Sequence, residues 1–549
     1  MFTHTKISQE PVYITGHRHP DTDSVVSAIA YALFKRMQGI KAIPCRLGAL
    51  SYETSYLLKR FGYEEPLLLE DARKQLKEIE LDPPVSIPYT ATVYEAVARM
   101  HEQERSSFAV TDDNDKVIGF VSRSDLARLS LGDTAVGIEL LRHTGVQEIA
   151  RTVSGKIVYD DPAVHLNGKV SIIALADTGI DDYEIKDRIV IIGNDPKAQK
   201  ALIEKGAGMI ITVWSEKTEE DVIKAAAEHH CPIIISGHGT MNTSRYIFFA
   251  PRVELVMSRK PVMFREDELA EEAGEKITRT RFRSYPVVDE DDHLVGYVTP
   301  AHIMEYRNKK VILVDHNEFS QSVKAVEKAQ ILEVVDHHRI NDFATTQPVS
   351  FRNEIVGSTA TIIATMYREN NIPIPRELAG LMLGAVLSDT LIFQSPTTTQ
   401  KDIDTANILA ALADLDIETF GKELFTASAA NMRQSIREMV VQDIKYYEIG
   451  RCRTMISQCM VPSVRSLIGR EREIQRTLEG LVEKKDLDLI VAAFTSVADE
   501  GSVFFAAGEK KGKCLEAFPD TSEVGHDLQK GIFSRKSQIL PALTRVIER

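Results

Sequence analysis

Several short apolar runs along this chain end in polar, acidic or imidazole-bearing residues. PVYIT, at 11–15, is rich in β-formers and reads as a strand, while SVVSAIAYALFKRMQ, at 24–38, carries apolar residues at helical spacing. Between them lies GHRHPDTDS, Gly16–Ser24, with two histidines and two aspartates. Pro20 marks the turn, and Asp23 or Ser24 is placed to cap the helix. Downstream, KKVILVDHNE reads as a buried strand ending at Asp315, and ILEVVDHHRIND as a strand ending in Asp336, His337 and His338. AGLMLGAVLSDTLIFQSPT is an apolar helix or strand running into Asp389. A parallel sheet with helical crossovers would gather these ends at one edge, where open α/β folds build their sites.

Composition changes the picture by exclusion. At 549 residues the chain has room for three or more domains, and 43% hydrophobic residues suffice for several cores. A formal net charge of −14 argues against a protein that coats nucleic acid. No apolar run approaches the roughly 20 residues of a membrane span, and the segment MFTHTKISQE has no apolar core of a secretory signal. Cysteines 45, 231, 452, 459 and 514 form no C-x-x-C spacing, which points to reduced thiols and a cytoplasmic protein.

Taken alone, GHRHPDTDS has two readings: aspartates that cap a helix beside solvated histidines, or metal ligands. Four apolar segments that each deliver carboxylate or imidazole at one end favour a polynuclear metal site over four unrelated loops. Mixed His and Asp without Cys suits Mn²⁺, Co²⁺, Fe²⁺ or Zn²⁺ better than Ca²⁺. The donors exceed what one tetrahedral ion needs. Two ions sharing a bridging carboxylate fit better, an arrangement that clamps phosphoryl oxygens and makes hydroxide near neutral pH.

VVDHHRI, preceded by GHRHPDTDS and LVDHNE, resembles the DHH phosphoesterase superfamily, and within it the manganese-dependent (family II) inorganic pyrophosphatases. FSRKSQILPAL from Phe533 is similar to the Ser-Arg-Lys-x-Gln segment that ends those enzymes, and QDIK, Gln442–Lys445, stands where they carry a phosphate-binding lysine. The resemblance covers roughly residues 1–65 and 309–549. It implies that His17, Asp21 and Asp315 bind one ion and that Asp23, Asp315, His337 and Asp389 bind a second, with Asp315 bridging. The ions would be Mn²⁺ or Co²⁺, the nucleophile a bridged water or hydroxide, and further Mg²⁺ would arrive with pyrophosphate. His338, Lys445, Arg535 and Lys536 would hold phosphate oxygens, and Asp336 would orient an imidazole. A homodimer is implied by the same resemblance. The chain departs from the family at His19, where Asn is more frequent, and in SRKSQ, where a second lysine is usual. His19 then reads as an orienting or surface group.

About 240 residues separate the two halves of this resemblance, and they hold an internal repeat. SSFAVTDDNDKVIGFVSRSDLARL from Ser106 aligns with RSYPVVDEDDHLVGYVTPAHIMEY from Arg283, matching Phe108 with Tyr285, Val110 with Val287, Gly119 with Gly296 and Val121 with Val298. Each copy reads helix, strand, acidic turn, strand, helix. The pair resembles cystathionine-β-synthase (CBS) motifs, which commonly bind adenine nucleotides between copies. That resemblance implies AMP, ADP, ATP or a dinucleoside polyphosphate as effector, with Tyr285 stacking on adenine, Arg283 meeting phosphate and Asp125 holding ribose; the other reading makes Phe108 and Tyr285 core residues of a dimerisation module. The second copy has His302 in place of that aspartate, so two equivalent sites are not expected. Between the copies, DRIVIIGNDPKAQKALIEKGAGMIITVWS reads strand–helix–strand and resembles a DRTGG domain, although the naming motif is not intact.

The expected architecture is therefore α/β: a DHH domain with a parallel sheet (1–65 and 309–430), split by CBS motif 1 (66–135), a DRTGG-like domain (136–250) and CBS motif 2 (251–308), then a C-terminal DHH-associated substrate-binding domain (431–549). The expected activity is hydrolysis of pyrophosphate to two orthophosphates, regulated by nucleotide. The rival reading is a DHH phosphoesterase acting on short oligonucleotides or cyclic dinucleotides. The SRKSQ tail and the acidic charge balance stand against nucleic acid as a partner.

Overall fold

The computed structural model describes residues 10–131, 134–173, 184–280, 282–340, 343–345, 347–429, 435–461, 463–496, 499–519 and 527–549; most of the N-terminal stretch read above for a signal lies outside them. The chain divides into two compact units, residues 1–73 with 308–549, and residues 74–307.

In the first unit, six strands form a wholly parallel sheet in the order Ser350–Asn353, Gln330–Asp336, Lys310–Val314, Val12–Thr15, Ala42–Arg46, Leu67–Leu68. Side chains alternate across it as a pleated strand requires. Ile312 and Val314 face one core with Ile14 and Val335, whereas Val311 and Leu313 face the other with Val334. The first core is roofed by the helices Thr22–Met37, Tyr52–Phe61, Thr359–Glu369 and Arg376–Thr390. Strand Val12–Thr15 pairs with Lys310–Val314 in full register despite the intervening insertion. The chain leaves and re-enters this unit at adjacent points: Lys309 N donates to Ala72 O at 3.2 Å, and Lys309 Nζ to Arg73 O at 2.6 Å. Residues 431–549 supply a second sheet, ordered Ile444–Ile449, Cys452–Met460, Leu489–Ser496, Gly501–Ala507, Gln529–Lys530, with a core on each face.

In the second unit, the repeat appears as two sheets of identical topology. Strands Ser86–Pro88, Ser107–Thr111 and Val117–Ser122 form one; Phe264–Arg265, Tyr285–Val288 and Leu294–Val298 form the other. Their registers coincide: Phe108 opposes Val121 as Tyr285 opposes Val298, and Val110 opposes Gly119 as Val287 opposes Gly296. The sheets meet through Ala109, Val117, Phe120, Val288 and Tyr297.

The flanking segments are exchanged between copies. Leu76 packs in the core of the second copy, and Asp82 bridges to Tyr297. Val253 and Met257 pack in the core of the first, and Ser258 bridges to Phe120. Cuts at 66 and 251 therefore do not separate the packed copies, and the insertion begins at Lys74. A five-stranded sheet, Lys156–Tyr159, Ile233–Ile235, Met209–Thr212, Ile189–Ile192, Val170–Ile173, carries the expected strand–helix–strand over 189–212.

Candidate metal centre

The loop after strand Val12–Thr15 is tightly folded. A Cβ at Gly16 would lie 1.8 Å from Ser24 Oγ, so only glycine fits. Ser24 Oγ accepts from His17 N at 2.8 Å, and the helix cap is Asp21, whose Oδ1 accepts from Ser24 N at 3.0 Å. Sequence placed the cap at Asp23 or Ser24. Capping occupies one Asp21 oxygen only, and the other faces His17 Nε2 at 3.2 Å. Capping and ligation are thus compatible in one side chain. His17 Nε2 is also 3.5 Å from Asp315 Oδ2.

Asp315 follows strand Lys310–Val314 in left-handed backbone, φ 60°, and is 1% exposed. Its Oδ1 accepts from Thr359 Oγ1 at 3.0 Å and lies 3.4 Å from His337 Nε2. His337 follows the next strand; its Nδ1 is held by Val356 O at 2.9 Å, which leaves Nε2 to point at Asp315 and, 3.7 Å away, Asp389. Asp389 sits in the last turn of helix Arg376–Thr390 and comes from a helix end, not from a strand.

Asp23 is wholly buried and is clasped by the N-terminus of helix Thr359–Glu369: Thr359 N at 2.6 Å, Ala360 N at 3.0 Å and Ser358 Oγ at 2.8 Å donate to it. The sequence reading missed this clasp. Its signal was the Ser-Thr pair in VGSTATII, an N-cap before an apolar helical run.

Donor atoms of His17, Asp21 and Asp315 lie within 4.8 Å of one another, as do those of Asp23, Asp315, His337 and Asp389. Asp315 is common to both groups. A third group, Asp315, His337 and His338, meets the same limit. There, however, His338 Nδ1 already bonds Asp336 Oδ1 at 2.9 Å, and Asp336 is itself held by Asn317 Nδ2 at 2.6 Å. Asp336 therefore orients His338.

The donor set fits divalent cations. Asp315 Oδ2 and His337 Nε2 are buried and find no hydrogen-bond partner among the described residues, which is costly unless a cation completes them. Electrostatics agree. Burial, then Asp23 and Asp21, holds the Asp315 carboxyl well above the usual carboxylate range; burial and the same two aspartates do this to Asp389. Burial opposes protonation of His17, but Asp21 and Asp315 together raise it to about 9.

Lys445, from strand Ile444–Ile449, and Lys536, from the short helix Arg535–Ile539, bring positive charge to this cluster. Burial, then Arg535, pushes the Lys445 ammonium down, and Lys536 adds to the effect. Lys445 in turn acts on His17, and Lys536 on His338. Arg535 is 7% exposed and braced by Asp443, donating to its Oδ1 and its backbone O, each at 2.8 Å. Its burial sets Arg535 apart from a solvated surface cation. His19 is exposed.

The expected nucleotide residues fare differently. Tyr285 is 1% exposed, packed against Phe264 and Phe282, with its hydroxyl on Thr280. It is a core residue with no face free for adenine, which corrects the expectation. The exposed aromatic is Phe282, at 51%, beside exposed Arg283. Asp125 Oδ2 accepts from Ser122 N at 3.0 Å and Ser122 Oγ at 2.6 Å, a local turn at the start of its helix.

Comparison with known proteins adds kinship to this geometry. The DHH family, N-terminal domain, matches residues 11–386, and the DHHA2 domain matches 422–546. The cobalt-dependent inorganic pyrophosphatase of Clostridium perfringens is 33% identical over 98% of this chain and 99% of its own length. The probable manganese-dependent inorganic pyrophosphatase of Thermotoga maritima is 34% identical over 98% of this chain and 99% of its own. Among solved structures, the CBS and DRTGG domains of the regulatory region of Clostridium perfringens pyrophosphatase, complexed with the activator diadenosine tetraphosphate, align with 41% of this chain and 100% of that one (22% identity, TM-score 0.39).

Proposed function

This chain belongs to the DHH family, akin from end to end to metal-dependent inorganic pyrophosphatases, and we propose that it hydrolyses inorganic pyrophosphate to two orthophosphates at the Asp315-centred cluster. The observation that carries this reading is the sharing of Asp315 between two His/Asp sets, with cationic side chains facing them. His17, Asp21 and Asp315 would hold one ion, and Asp23, Asp315, His337 and Asp389 the other. Mn²⁺ or Co²⁺ in those sets would supply Lewis acidity and a water acidic enough to attack phosphorus.

The remaining steps fall to the chain's own groups. Val356 O fixes the tautomer of His337, so that Nε2 carries the lone pair. Lys445, Arg535 and Lys536 would bind the phosphate oxygens and offset the charge that develops on the leaving phosphate. Burial, then His337 and Lys536, pushes His338 down, so that it rests neutral. Arriving pyrophosphate adds negative charge beside it and favours the protonated form that can donate to a phosphate oxygen. Mg²⁺ would enter with the substrate as its counter-ion.

The repeat in the second unit is the proposed sensor of an adenine nucleotide: AMP, ADP, ATP or a dinucleoside polyphosphate. Its two like-built sheets and the exposed Phe282–Arg283 pair support that reading. Five buried, unpaired cysteines fit a reducing compartment, the cytoplasm. A homodimer is the assembly we expect.

The deciding experiment measures orthophosphate release from pyrophosphate with Mn²⁺ or Co²⁺ plus Mg²⁺, while AMP is titrated from zero. Rapid release that changes with AMP is the expected result. Release indifferent to AMP keeps the enzyme and leaves the repeat as a scaffold or as a sensor of something else, and no release with any metal refutes the pyrophosphatase.

A further inference from the structure

Apart from Asp336, which orients His338, a further carboxylate outside both ligand sets is as deeply buried as any of them. Asp402, on helix Gln400–Ala413, is 0% exposed and is satisfied by neutral donors: Gly357 N at 2.8 Å, Thr361 Oγ1 at 2.7 Å, Thr399 N at 2.8 Å and Thr399 Oγ1 at 2.7 Å. The bonds from Thr399 are a capping box at the start of its own helix. Capping does not account for the other two, which reach 41 and 45 residues back along the chain. A buried charge is expensive to keep, and one satisfied this fully fixes whatever donates to it.

What Asp402 fixes is the segment Gly357–Thr361. Within it, Ser358 Oγ, Thr359 N and Ala360 N donate to Asp23, and Thr359 Oγ1 donates to Asp315. One residue earlier, Val356 O holds His337 Nδ1. Gly357 is pressed against Thr390, next to Asp389: a Cβ there would lie 2.7 Å from Thr390 Cγ2 and 3.1 Å from Asp402 Oδ2. The gripped segment thus bonds to three members of the Asp23, Asp315, His337, Asp389 set, directly or through the adjoining Val356, and abuts the neighbour of the fourth. His17 and Asp21 are held separately, through Ser24.

We propose that Asp402 is a positioning residue that sets the geometry, and hence the affinity, of the His337-bearing metal set, and that it reaches the His17-bearing set only through the shared Asp315. The inference rests on the two-ion reading above. It assigns unequal control of the two ions to one residue that would touch neither.

The test uses the full chain, stripped of metal and titrated with Co²⁺, with bound ion counted by equilibrium dialysis and coordination followed by visible absorption. Two ions are expected in the wild type. Asp402→Asn should weaken one of them by about 10–100-fold and the other, which shares only Asp315 with the gripped set, far less. Thr361→Val is isosteric and removes a single bond to Asp402, so it carries the test if Asp402→Asn does not fold. It should weaken the same ion, and Thr361→Ser should restore it. Unchanged affinities in the variants that fold, equal weakening of both ions, or failure of Thr361→Ser to recover what Thr361→Val loses would each overturn the proposal. A wild type that binds no second ion would overturn the two-ion reading, and this inference with it.

Discussion

Asp315 combines three demands: a left-handed backbone, nearly complete burial and a place in both ligand sets. A non-glycine residue in that backbone region is uncommon, and Asn and Asp tolerate it best. Asp315→Asn therefore keeps the fold while removing the shared charge, whereas Asp315→Ala adds backbone strain to the loss. Losing several kcal/mol of charge stabilisation, at ~1.4 kcal/mol per decade, puts the expected fall in kcat for Asp315→Asn on the order of a thousandfold or more. Wild-type turnover in that variant would refute the bridging assignment.

The same cluster fixes a pH dependence. His17, raised to about 9, is protonated at neutral pH in the metal-free protein and must lose that proton to bind an ion. Asp315 and Asp389 also hold protons to higher pH than ordinary carboxylates, and ions must displace those as well. Metal affinity should therefore rise with pH, by about tenfold per unit for each proton released, up to the titration of His17. Calorimetry at pH 7.5 in buffers of different ionisation enthalpy should count at least one proton released, and none would rule out His17 as a ligand. These candidate ligands were legible because they stand where apolar runs stop. Tyr285 was misread because its strand, Tyr285–Val288, is buried along its whole length, and an aromatic in such a strand packs into the core, whereas exposed Phe282 lies before the strand begins.

At the scale of elements, AGLMLGAVLSDT was ambiguous for a physical reason. Helix Arg376–Thr390 is apolar nearly all round, since its residues Leu378–Leu387 are all buried, and so it shows no helical stripe. The repeat was easier to read, because the matched pairs Val110–Gly119 and Val287–Gly296 carry the register of each copy. The exchanged flanks were not, because no local pattern announces that Leu76 packs beside Phe264 or Val253 beside Phe108. The buried helix makes its own prediction. A Cβ on Gly384 would lie 2.7 Å from Leu57 Cδ1, and Leu57 is 0% exposed with no room to yield. Overpacking costs about 1–3 kcal/mol, against roughly 1 kcal/mol of helix propensity recovered. Gly480, in helix Glu471–Lys485, has nothing within 4 Å of its Cβ position. Gly384→Ala should lower the melting temperature of the metal-free protein, and Gly480→Ala should raise it slightly. A rise in both would mean that helices Tyr52–Phe61 and Arg376–Thr390 are not as tightly apposed as described.

For the whole molecule, the sequence showed that a module interrupts the DHH domain but set its start at 66, where the structure has Lys74. Residues 66–73 still belong to the catalytic unit: Leu67–Leu68 pairs with Ala42–Arg46, and Leu69 and Ala72 fill its second core. The insertion leaves the parallel sheet intact because its two ends are tied side by side through Ala72 and Lys309. The return crossing, Arg307–Asn308, lies just before the strand Lys310–Val314 that delivers Asp315. A nucleotide in the repeat can regulate hydrolysis at equilibrium only if it binds two states of the chain unequally. Linkage then requires that pyrophosphate change nucleotide affinity by the same factor that nucleotide changes pyrophosphate affinity, typically about 5–150-fold. The measurement is AMP affinity by calorimetry, with and without a saturating non-hydrolysable pyrophosphate analogue, paired with analogue affinity at zero and saturating AMP. Equal, non-unit factors are the expected outcome. If AMP alters turnover while its affinity ignores the analogue, the ground states are uncoupled and the nucleotide acts on the chemical or release step alone.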